Sequence, residues 1–248
     1  MEKDLFRYFG FAMPNPRVLL IIPCFNEQES IESLLIEIAS LEANYSTIVV
    51  DDGSMDSTYD IAVELSPTIR LLQNLGIGGA VQAGIKYASK NGFDFCVQVD
   101  GDGQHPPSEV SKLLRAYEDE PASIVIGSRY LFNDSFRSTL ARRFGGKTIA
   151  WSLNRLFRGC NITDPTSGMR LMDRKAIHFF AESYPHDFPE PISIAWALQA
   201  GLTVKECGVE MRSRDNGQSS IVGLRPIAYM LRVLGYVILA RFVGPKSH

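Results

Sequence analysis

The stretch FCVQVDGDGQHPP (residues 95–107) constrains the fold of this 248-residue chain more than any other. Its first five residues are mostly apolar, which is typical of a strand buried in a parallel sheet. Asp100 and Asp102 follow at once, and two such close carboxylates are costly unless a cation lies between them. A solvated Asp/Gly turn is the alternative, but the position after a central strand favours a site for Mg²⁺ or Mn²⁺, which prefer oxygen ligands.

Strand and helix patterns alternate on both sides of this stretch, which predicts an α/β fold with a doubly wound, mostly parallel sheet and helices on both faces. Ligands bind such sheets beyond the carboxyl ends of the strands. The predicted strands are Val18–Ile22, Thr47–Val50, Ile69–Leu72, Phe95–Val99 and Ser123–Ile126. The predicted helices are Glu27–Leu41 with Asn26 as its N-cap, Ser57–Leu65, Gly78–Ser89 and Pro107–Tyr117.

The second half of the chain breaks this rhythm without showing a linker or a repeat, so we expect one continuous domain over residues 1–248. Thr139–Phe157 has a helical pattern with Gly145 and Gly146 as a weak point inside it. Ile192–Gln199 is predicted to be helical and Thr203–Met211 extended. Arg225–Phe242 is predicted to form a C-terminal amphipathic helix, because basic residues interrupt its apolar positions.

Charge is unevenly distributed along the chain. The formal net charge of −3 argues against a nucleic-acid partner. Ser135–Thr163 nevertheless holds six basic residues and no acid, and Asn216–His248 holds four basic residues and no acid. The rest of the chain therefore holds 15 basic and 28 acidic residues. An acidic body with two basic, acid-free segments has to be explained by any proposed function.

Cysteine usage and hydropathy indicate a cytoplasmic protein. The four cysteines are widely spaced and form no Cys-x-x-Cys pair, so neither a zinc site nor a disulfide framework is expected. Met1–Asn15 is mixed and charged, unlike a signal peptide. Val233–Ala240 is the longest apolar run near the C-terminus, and it is far shorter than the roughly 20 residues of a membrane span.

Common phosphate-binding loops do not match this sequence. The segment that begins Gly76-Ile77-Gly78 has Val81 where a dinucleotide-binding fold places a third glycine, and it follows the third strand instead of the first. No Walker A loop is present, and the residues after the first strand lack the Gly-rich basic loop of a nucleotidyltransferase. A phosphorylated ligand would therefore be held by a metal and by basic side chains.

Seven motifs together make the chain similar to family 2 glycosyltransferases of the GT-A fold, in the branch of dolichyl- and polyprenyl-phosphate sugar synthases. They cover about 200 residues in the expected order: IIPCFNE (21–27), VVDDGSMDST (49–58), NLGIGGAVQAG (74–84), VQVDGDGQHPP (97–107), IGSRY (126–130), DPTSGMRL (164–171) and RDNGQSS (214–220). The resemblance implies a nucleotide-sugar-binding half at residues 17–130, an acceptor half at 131–223 and, at 224–248, a C-terminal amphipathic helix that is a candidate for membrane association.

The resemblance also implies the residues of the donor site. Those that would bind the nucleotide sugar are Pro23, Phe25, Glu27, Val50, Asp52, Asp100, Gly101, Asp102, Arg129 and Arg214. Asp100, Asp102 and Gln104 would hold the metal, Mg²⁺ or Mn²⁺, and Asp102 would also be catalytic. For Pro23, Phe25 and Val50, packing in the core is the alternative. Glu27 could instead be an acid that the dipole of a helix N-terminus favours.

The acceptor half departs from the family pattern. Asp164 and Glu190 are the catalytic acids implied there, although Ile192 occupies the position where an acid aligns best, and Asp164 could instead cap a turn. Arg142, Arg143, Arg212 and Ser220 are the residues expected near an acceptor phosphate, with Ser220 standing where many members have a lysine. A phosphate acceptor is already an anionic nucleophile and needs no general base, so these departures favour a lipid phosphate.

We therefore expect an inverting, metal-dependent hexosyltransferase that uses a nucleotide-sugar donor and polyprenyl phosphate at the inner face of the cell membrane. The predicted C-terminal helix would lie on the membrane surface as a peripheral anchor, or it would pack on its own core or on a membrane-protein partner. Two alternatives stay open. One is transfer to a sugar hydroxyl of a polysaccharide or glycolipid, and the other is a degenerate transferase that serves as a membrane scaffold.

Overall fold

The computed structural model describes residues 16–131, 140–157, 160–212 and 225–243, with only the backbone described at 140–143 and 225–229. Within these ranges the strands are β1 (Val18–Cys24), β2 (Ser46–Asp51), β3 (Thr68–Arg70), β4 (Phe95–Gln98), β5 (Ile124–Ser128), β6 (Arg170–Asp173) and β7 (Val204–Gly208). The helices are α1 (Ile31–Ala39), α2 (Thr58–Leu65), α3 (Gly76–Lys90), α4 (Val110–Asp119), α5 (Leu140–Leu156), α6 (Arg174–Glu182), α7 (Pro189–Gln199) and α8 (Arg225–Ala240).

The strands form one sheet in the order β3-β2-β1-β4-β6-β5-β7, which confirms the predicted α/β class. Strand β6 is antiparallel to both of its neighbours, and the other pairings are parallel. The carboxyl ends of β1, β2, β4 and β5 therefore lie at one edge, where β6 begins. In the register, Arg170 at the start of β6 is opposite both Gln98 and Ile126.

Helices cover both faces of the sheet, as the doubly wound pattern predicts. Alternate residues of β1 point to opposite faces. Leu20 and Ile22 belong to a core with helices α1, α2 and α4, whereas Leu19 and Ile21 belong to a core with α3, α5, α6, α7 and α8. Strands β1, β4, β5 and β6 are buried along their whole length because two layers of helices cover them, whereas the edge strands β3 and β7 are partly exposed.

Two local predictions were incomplete. Asn26 does not cap the first helix: it has a φ of 55°, its side-chain Oδ1 accepts the N–H of Met55, and the helix begins at Ile31. The Arg174–Glu182 helix was not predicted at all. Asp173 starts it by accepting the N–H of Ala176, and Asp173 is also the last residue of β6.

Gly145 and Gly146 do not interrupt helix α5. A Cβ at Gly145 would lie 3.0 Å from Sδ of Met230, so this glycine lets α5 and α8 pack closely together. Among the residues that the structure describes, no helix combines the length and the apolar character needed to cross a bilayer. The four cysteines are free thiols, and burial raises the pKa of Cys24 to about 12, as expected for a small hydrophobic residue.

Candidate active site

The loop after β4 holds the carboxylate of Asp100 at the edge of the sheet. Gln98 donates from Nε2 to Asp100 Oδ1 over 3.0 Å. The backbone N–H of Asp100 donates to Nδ1 of His105 over 3.1 Å, so this ring nitrogen carries no proton. The 3.6 Å approach of the same nitrogen to Asp100 Oδ2 is therefore no ion pair. His105 is buried, and its hydrogen bond stabilises the loop.

Glycines let the loop lie close to the end of β1. A Cβ at Gly101 would lie 3.0 Å from Cβ of Cys24, and Gly103 has a φ of 74° that other residues rarely adopt. The carboxylate of Asp102 accepts the N–H of Gln104 over 3.0 Å, and Ser30 Oγ donates to the carbonyl of Gly101 over 2.8 Å. The loop is therefore fastened on both sides before any ligand binds.

The second half of the chain reaches this loop at Gly168. A Cβ at that position would lie only 2.8 Å from Oδ2 of Asp100, which no side chain tolerates without movement. Ser167 fixes the turn by donating from Oγ to the carbonyl of Gly127 over 2.6 Å. The DPTSGMR motif therefore forms one wall of the site that holds the Asp100 carboxylate.

The predicted base and ribose residues divide into exposed and buried ones. Phe25 is exposed beyond the end of β1, where an aromatic face is available for stacking. Glu27 is half-buried, and its Oε2 accepts Ser30 Oγ over 3.3 Å. Pro23 and Val50 are buried. Their side chains pack in the core, which was the alternative to lining the nucleotide pocket.

Asp52 links the end of β2 to helix α3. Its N–H donates to the carbonyl of Cys24 over 2.9 Å, and its Oδ1 accepts the N–H of Leu75 over 2.7 Å. Burial raises the pKa of the Asp52 carboxyl. The Asp52 carboxylate thus holds the start of α3.

Arg129 and Asp164 form a bidentate ion pair across the site. Arg129 donates from Nε to Asp164 Oδ2 over 2.7 Å and from Nη2 to Asp164 Oδ1 over 2.6 Å. Asp164 is fully buried, whereas the Arg129 side chain is 21% exposed. Both oxygens of Asp164 therefore face Arg129, and proton transfer to this carboxylate would disrupt the pair. This geometry favours Asp164 as the residue that orients Arg129.

Glu206 of β7 holds the turn that carries Asp164. Its Oε1 accepts the N–H groups of Thr163 and Asp164 over 2.9 and 2.6 Å, and its Oε2 accepts the hydroxyl of Thr163 over 2.6 Å. Burial raises the pKa of the Glu206 carboxyl, and these three hydrogen bonds oppose the shift by stabilising the ionised form.

Arg170 connects the same turn to the first turn of α7, where Glu190 lies. Its guanidinium, 1% exposed, donates to the carbonyls of Ser167, Pro165 and Glu190 and to Ser193 Oγ, over 2.7–3.0 Å. Burial raises the pKa of the Glu190 carboxyl, the charge of Arg170 lowers it, and Asp100 lies near enough to raise it further. The Glu190 carboxyl is therefore near Asp100, although Ile192 occupies the position where an acid of the family aligns best.

Comparison with known proteins identifies the family. Residues 19–180 match the family described as glycosyl transferase family 2. The chain belongs to that family. It is 30% identical to polyprenol monophosphomannose synthase of Mycolicibacterium smegmatis, over 92% of this chain and 89% of the relative. It is also 30% identical to undecaprenyl-phosphate mannosyltransferase of Micrococcus luteus, over 93% and 98% of the two chains.

Solved structures confirm the GT-A fold. Glucosyl-3-phosphoglycerate synthase of Mycobacterium tuberculosis, in complex with Mn²⁺, uridine diphosphate and phosphoglyceric acid, superposes with a TM-score of 0.67. The match covers 94% of this chain and 80% of that enzyme at 19% sequence identity. The shared fold extends over both halves of this family 2 glycosyltransferase.

The carboxylate ligands at this edge of the sheet suit a divalent cation whose coordination shell is completed by substrate phosphates. Within the described ranges, no three His, Cys, Asp or Glu side chains are grouped so that they could hold a metal by themselves. Asp100 and Asp102 supply two carboxylates on one short loop, and Mg²⁺ is commonly held by one or two carboxylates together with substrate phosphates. The nearby His105 Nδ1 already accepts a backbone N–H.

The structure does not bring all predicted acceptor residues to the site. Arg212 donates to Gln104 through its backbone N–H, but its guanidinium pairs with both carboxylate oxygens of Glu37 at 2.8 Å. Arg214 and Ser220 lie outside the described residues. Arg142 and Arg143 are placed in helix α5, and their side chains also lie outside the described part.

Several residues that shape the site were missed by sequence reasoning. Gln98 is the polar residue in an otherwise apolar strand, and Glu206 is one of two acids within a predicted extended segment, so both carried a weak signal. Arg170 and Gly168 were quoted only as parts of a motif. Their importance depends on contacts with Glu190 and Asp100, which are distant in the sequence.

Proposed function

We propose that this glycosyltransferase transfers a hexose from a nucleotide sugar to polyprenyl phosphate at the cytoplasmic face of a membrane. The observation that carries the proposal is the surface of α5 and α8. In the acid-free segments, Phe144 is 75% exposed and Trp151 67% exposed, Leu231 and Ile238 are exposed on α8, and Phe242 is exposed just after it. The names of the Mycolicibacterium and Micrococcus relatives support the same acceptor class.

The donor would bind beyond β1, β2 and β4. Phe25 offers an aromatic face to the base, and Asp52 and Glu27 offer acceptors to the ribose hydroxyls. Asp100 and Asp102, with Gln104 beside them, would hold Mg²⁺ or Mn²⁺. A bound cation would neutralise charge that develops on the leaving nucleoside diphosphate. Arg129, held in place by Asp164, would stabilise the same charge.

The acceptor would attack from the side of α7 in a single, inverting displacement. The oxygen of a phosphate monoester is already negatively charged, so this reaction needs cationic positioning instead of a general base. We assign this positioning to Arg142, Arg143, Arg212 and Arg214, with Ser220 as a hydrogen-bond donor. For Arg212, the role requires release from Glu37, an exposed ion pair of the kind that contributes about 0–1 kcal/mol.

Membrane contact would come from the exposed apolar side chains of α5 and α8. Aromatic and aliphatic side chains insert at the boundary of headgroups and acyl chains, and the surrounding basic residues attract anionic lipids. This arrangement describes a peripheral protein, and it accounts for the two acid-free segments as the side of the chain that faces an anionic surface.

Transfer to a sugar hydroxyl is the second candidate, and one observation favours it. Glu190 lies at the site, and burial raises the pKa of its carboxyl, which is how enzymes tune a carboxylate for general base catalysis near neutral pH. A hydroxyl acceptor would need such a base.

Incubation of the purified chain with labelled nucleotide hexoses and Mg²⁺ or Mn²⁺ tests the two candidates. Undecaprenyl phosphate in vesicles and soluble oligosaccharides are offered as competing acceptors. We expect label in the lipid fraction, lost with chelator and in Asp102→Asn. Label in oligosaccharide alone would overturn the lipid-phosphate proposal and favour the hydroxyl acceptor.

A further inference from the structure

We propose that a cavity between α3, α7 and α8 receives the isoprenoid chain of the acceptor lipid, an inference that depends on the proposed function. The cavity has a volume of about 550 Å³, which is within the range of small-molecule sites. Its walls are residues of α3, the segment 182–187, α7 and α8. Nothing in the donor site described above uses it.

One wall of the cavity is apolar and comes from α7 and α8. It is formed by the side chains of Ile192, Trp196, Tyr236, Leu239 and Val243. The cavity is also lined by polar residues: Gln82 and Lys86 from α3, His186, and two acids, Glu182 and Asp187. Two acids against one lysine disfavour a phosphate inside the cavity, whereas an uncharged hydrocarbon chain gains by lying along the apolar wall.

The cavity borders the first turn of α7. Ile192 lines the cavity and lies two residues after Glu190 in α7. The 185–186 segment at the rim packs directly on α3, because a Cβ at Gly78 would lie 2.3 Å from the carbonyl oxygen of Pro185. A chain in the cavity therefore lies beside the helix turn that carries Glu190.

The outer end opens on the apolar side of α8. Leu239 lines the cavity and is 52% exposed, and Val243 also lines it at the end of the described chain. Phe242 next to it is exposed as well. The cavity is thus continuous with the surface that we assign to lipid. It offers a path along which an acceptor phosphate reaches the site while its chain stays connected to the membrane.

A matched pair of variants tests this path. Leu239 lines the cavity, whereas Val63, which is 48% exposed on α2, does not. Undecaprenyl phosphate is presented in detergent micelles so that membrane docking does not contribute. We expect Leu239→Gln to raise KM for undecaprenyl phosphate about tenfold while kcat and the donor KM stay unchanged, and Val63→Gln to leave all three unchanged.

Val243→Trp provides a second test, because a larger side chain at the open end fills the cavity without disturbing the core. We expect the same selective rise in KM. Equal KM values in the unaltered chain and the two cavity variants would overturn the inference. If the unaltered chain does not glycosylate the lipid at all, the proposed function fails with it.

Discussion

At the scale of single residues, the site depends on a few contacts with little tolerance. Asp100 accepts a hydrogen bond from Gln98 and donates its backbone N–H to His105. Its carboxylate has room only because Gly168 has no side chain. Glu190 lies in the first turn of α7, and its backbone carbonyl accepts a hydrogen bond from Arg170. Each of these residues can be changed with a defined expectation.

Gly168→Ala is expected to displace the Asp100 carboxylate, since the added Cβ would lie 2.8 Å from Oδ2. The stabilisation of the protein by a nucleoside diphosphate with Mn²⁺ should be lost in thermal-shift measurements, because a ligand that no longer binds no longer stabilises the native state. Gly146→Ala in α5 is the matched control, with no atom within 4 Å of the new Cβ. Equal ligand shifts in both variants would show that Gly168 does not define the site.

Glu190→Gln distinguishes the two acceptor classes. With polyprenyl phosphate we expect less than about a tenfold loss, because the acceptor is ionised without a base. With a hydroxyl acceptor the loss should be about 100-fold or more. Burial raises the pKa of Glu190. Hydroxyl transfer by the unaltered chain should therefore decline as the pH falls through that raised pKa, and the decline should disappear in the variant. Rates measured from acid to neutral pH check both statements.

At the scale of elements, β6 is the strand that makes the site. Its antiparallel insertion between β4 and β5 puts Arg170 beside the end of β4 and lets the preceding turn contact Asp100. The buried guanidinium of Arg170 then ties this turn to α7 through carbonyl oxygens. The connection couples the stability of α7 to the acceptor side of the site.

Arg170→Met should reduce the free energy of unfolding by about 3 kcal/mol or more, because buried carbonyls and the Ser193 hydroxyl lose their donor. Urea denaturation measures this change. Arg115→Met is the control, since Arg115 is exposed on α4 and a surface substitution stays within about 0.5 kcal/mol. A similar effect of both substitutions would mean that the Arg170 hydrogen bonds contribute little net stability.

At the scale of the whole molecule, charge and exposed apolar surface coincide. The acidic body carries the donor site, whereas α5 and α8 combine basic residues with exposed apolar side chains. The two helices pack on each other at Gly145 and Met230, so their exposed faces form one side of the protein. This explains why a net charge of −3 is compatible with an anionic lipid surface.

The Phe144→Ser, Trp151→Ser double variant should bind anionic vesicles at least about tenfold more weakly than the unaltered chain, since two large apolar contacts are lost. Cosedimentation with vesicles measures the binding, and added salt should weaken it in the unaltered chain as charges are screened. Leu72→Ser is the control, because Leu72 is exposed on the donor side. Equal losses in both would exclude α5 as the membrane contact.

Local patterns in the sequence predicted most of the strands and helices. Hydrophobic periodicity and the Gly and Pro residues that mark turns are set by a few neighbouring residues. The alternation over residues 18–126 gave the α/β class, and the loop at 100–103 marked the site. Prediction was poorer where competing local signals overlap. Asp173 ends β6 and also caps α6, and the turn at 27–30 delays α1 to Ile31.

The sequence by itself determined the α/β fold, the family and the donor loop, since these depend on local patterns in order along the chain. Only the tertiary structure decided that Arg129 is paired with Asp164, that Gly168 touches Asp100 and that Arg170 supports the helix of Glu190. Those partners are far apart in sequence and meet through the pairing register of β4, β5 and β6. A register is a property of the assembled sheet, so no single segment encodes it.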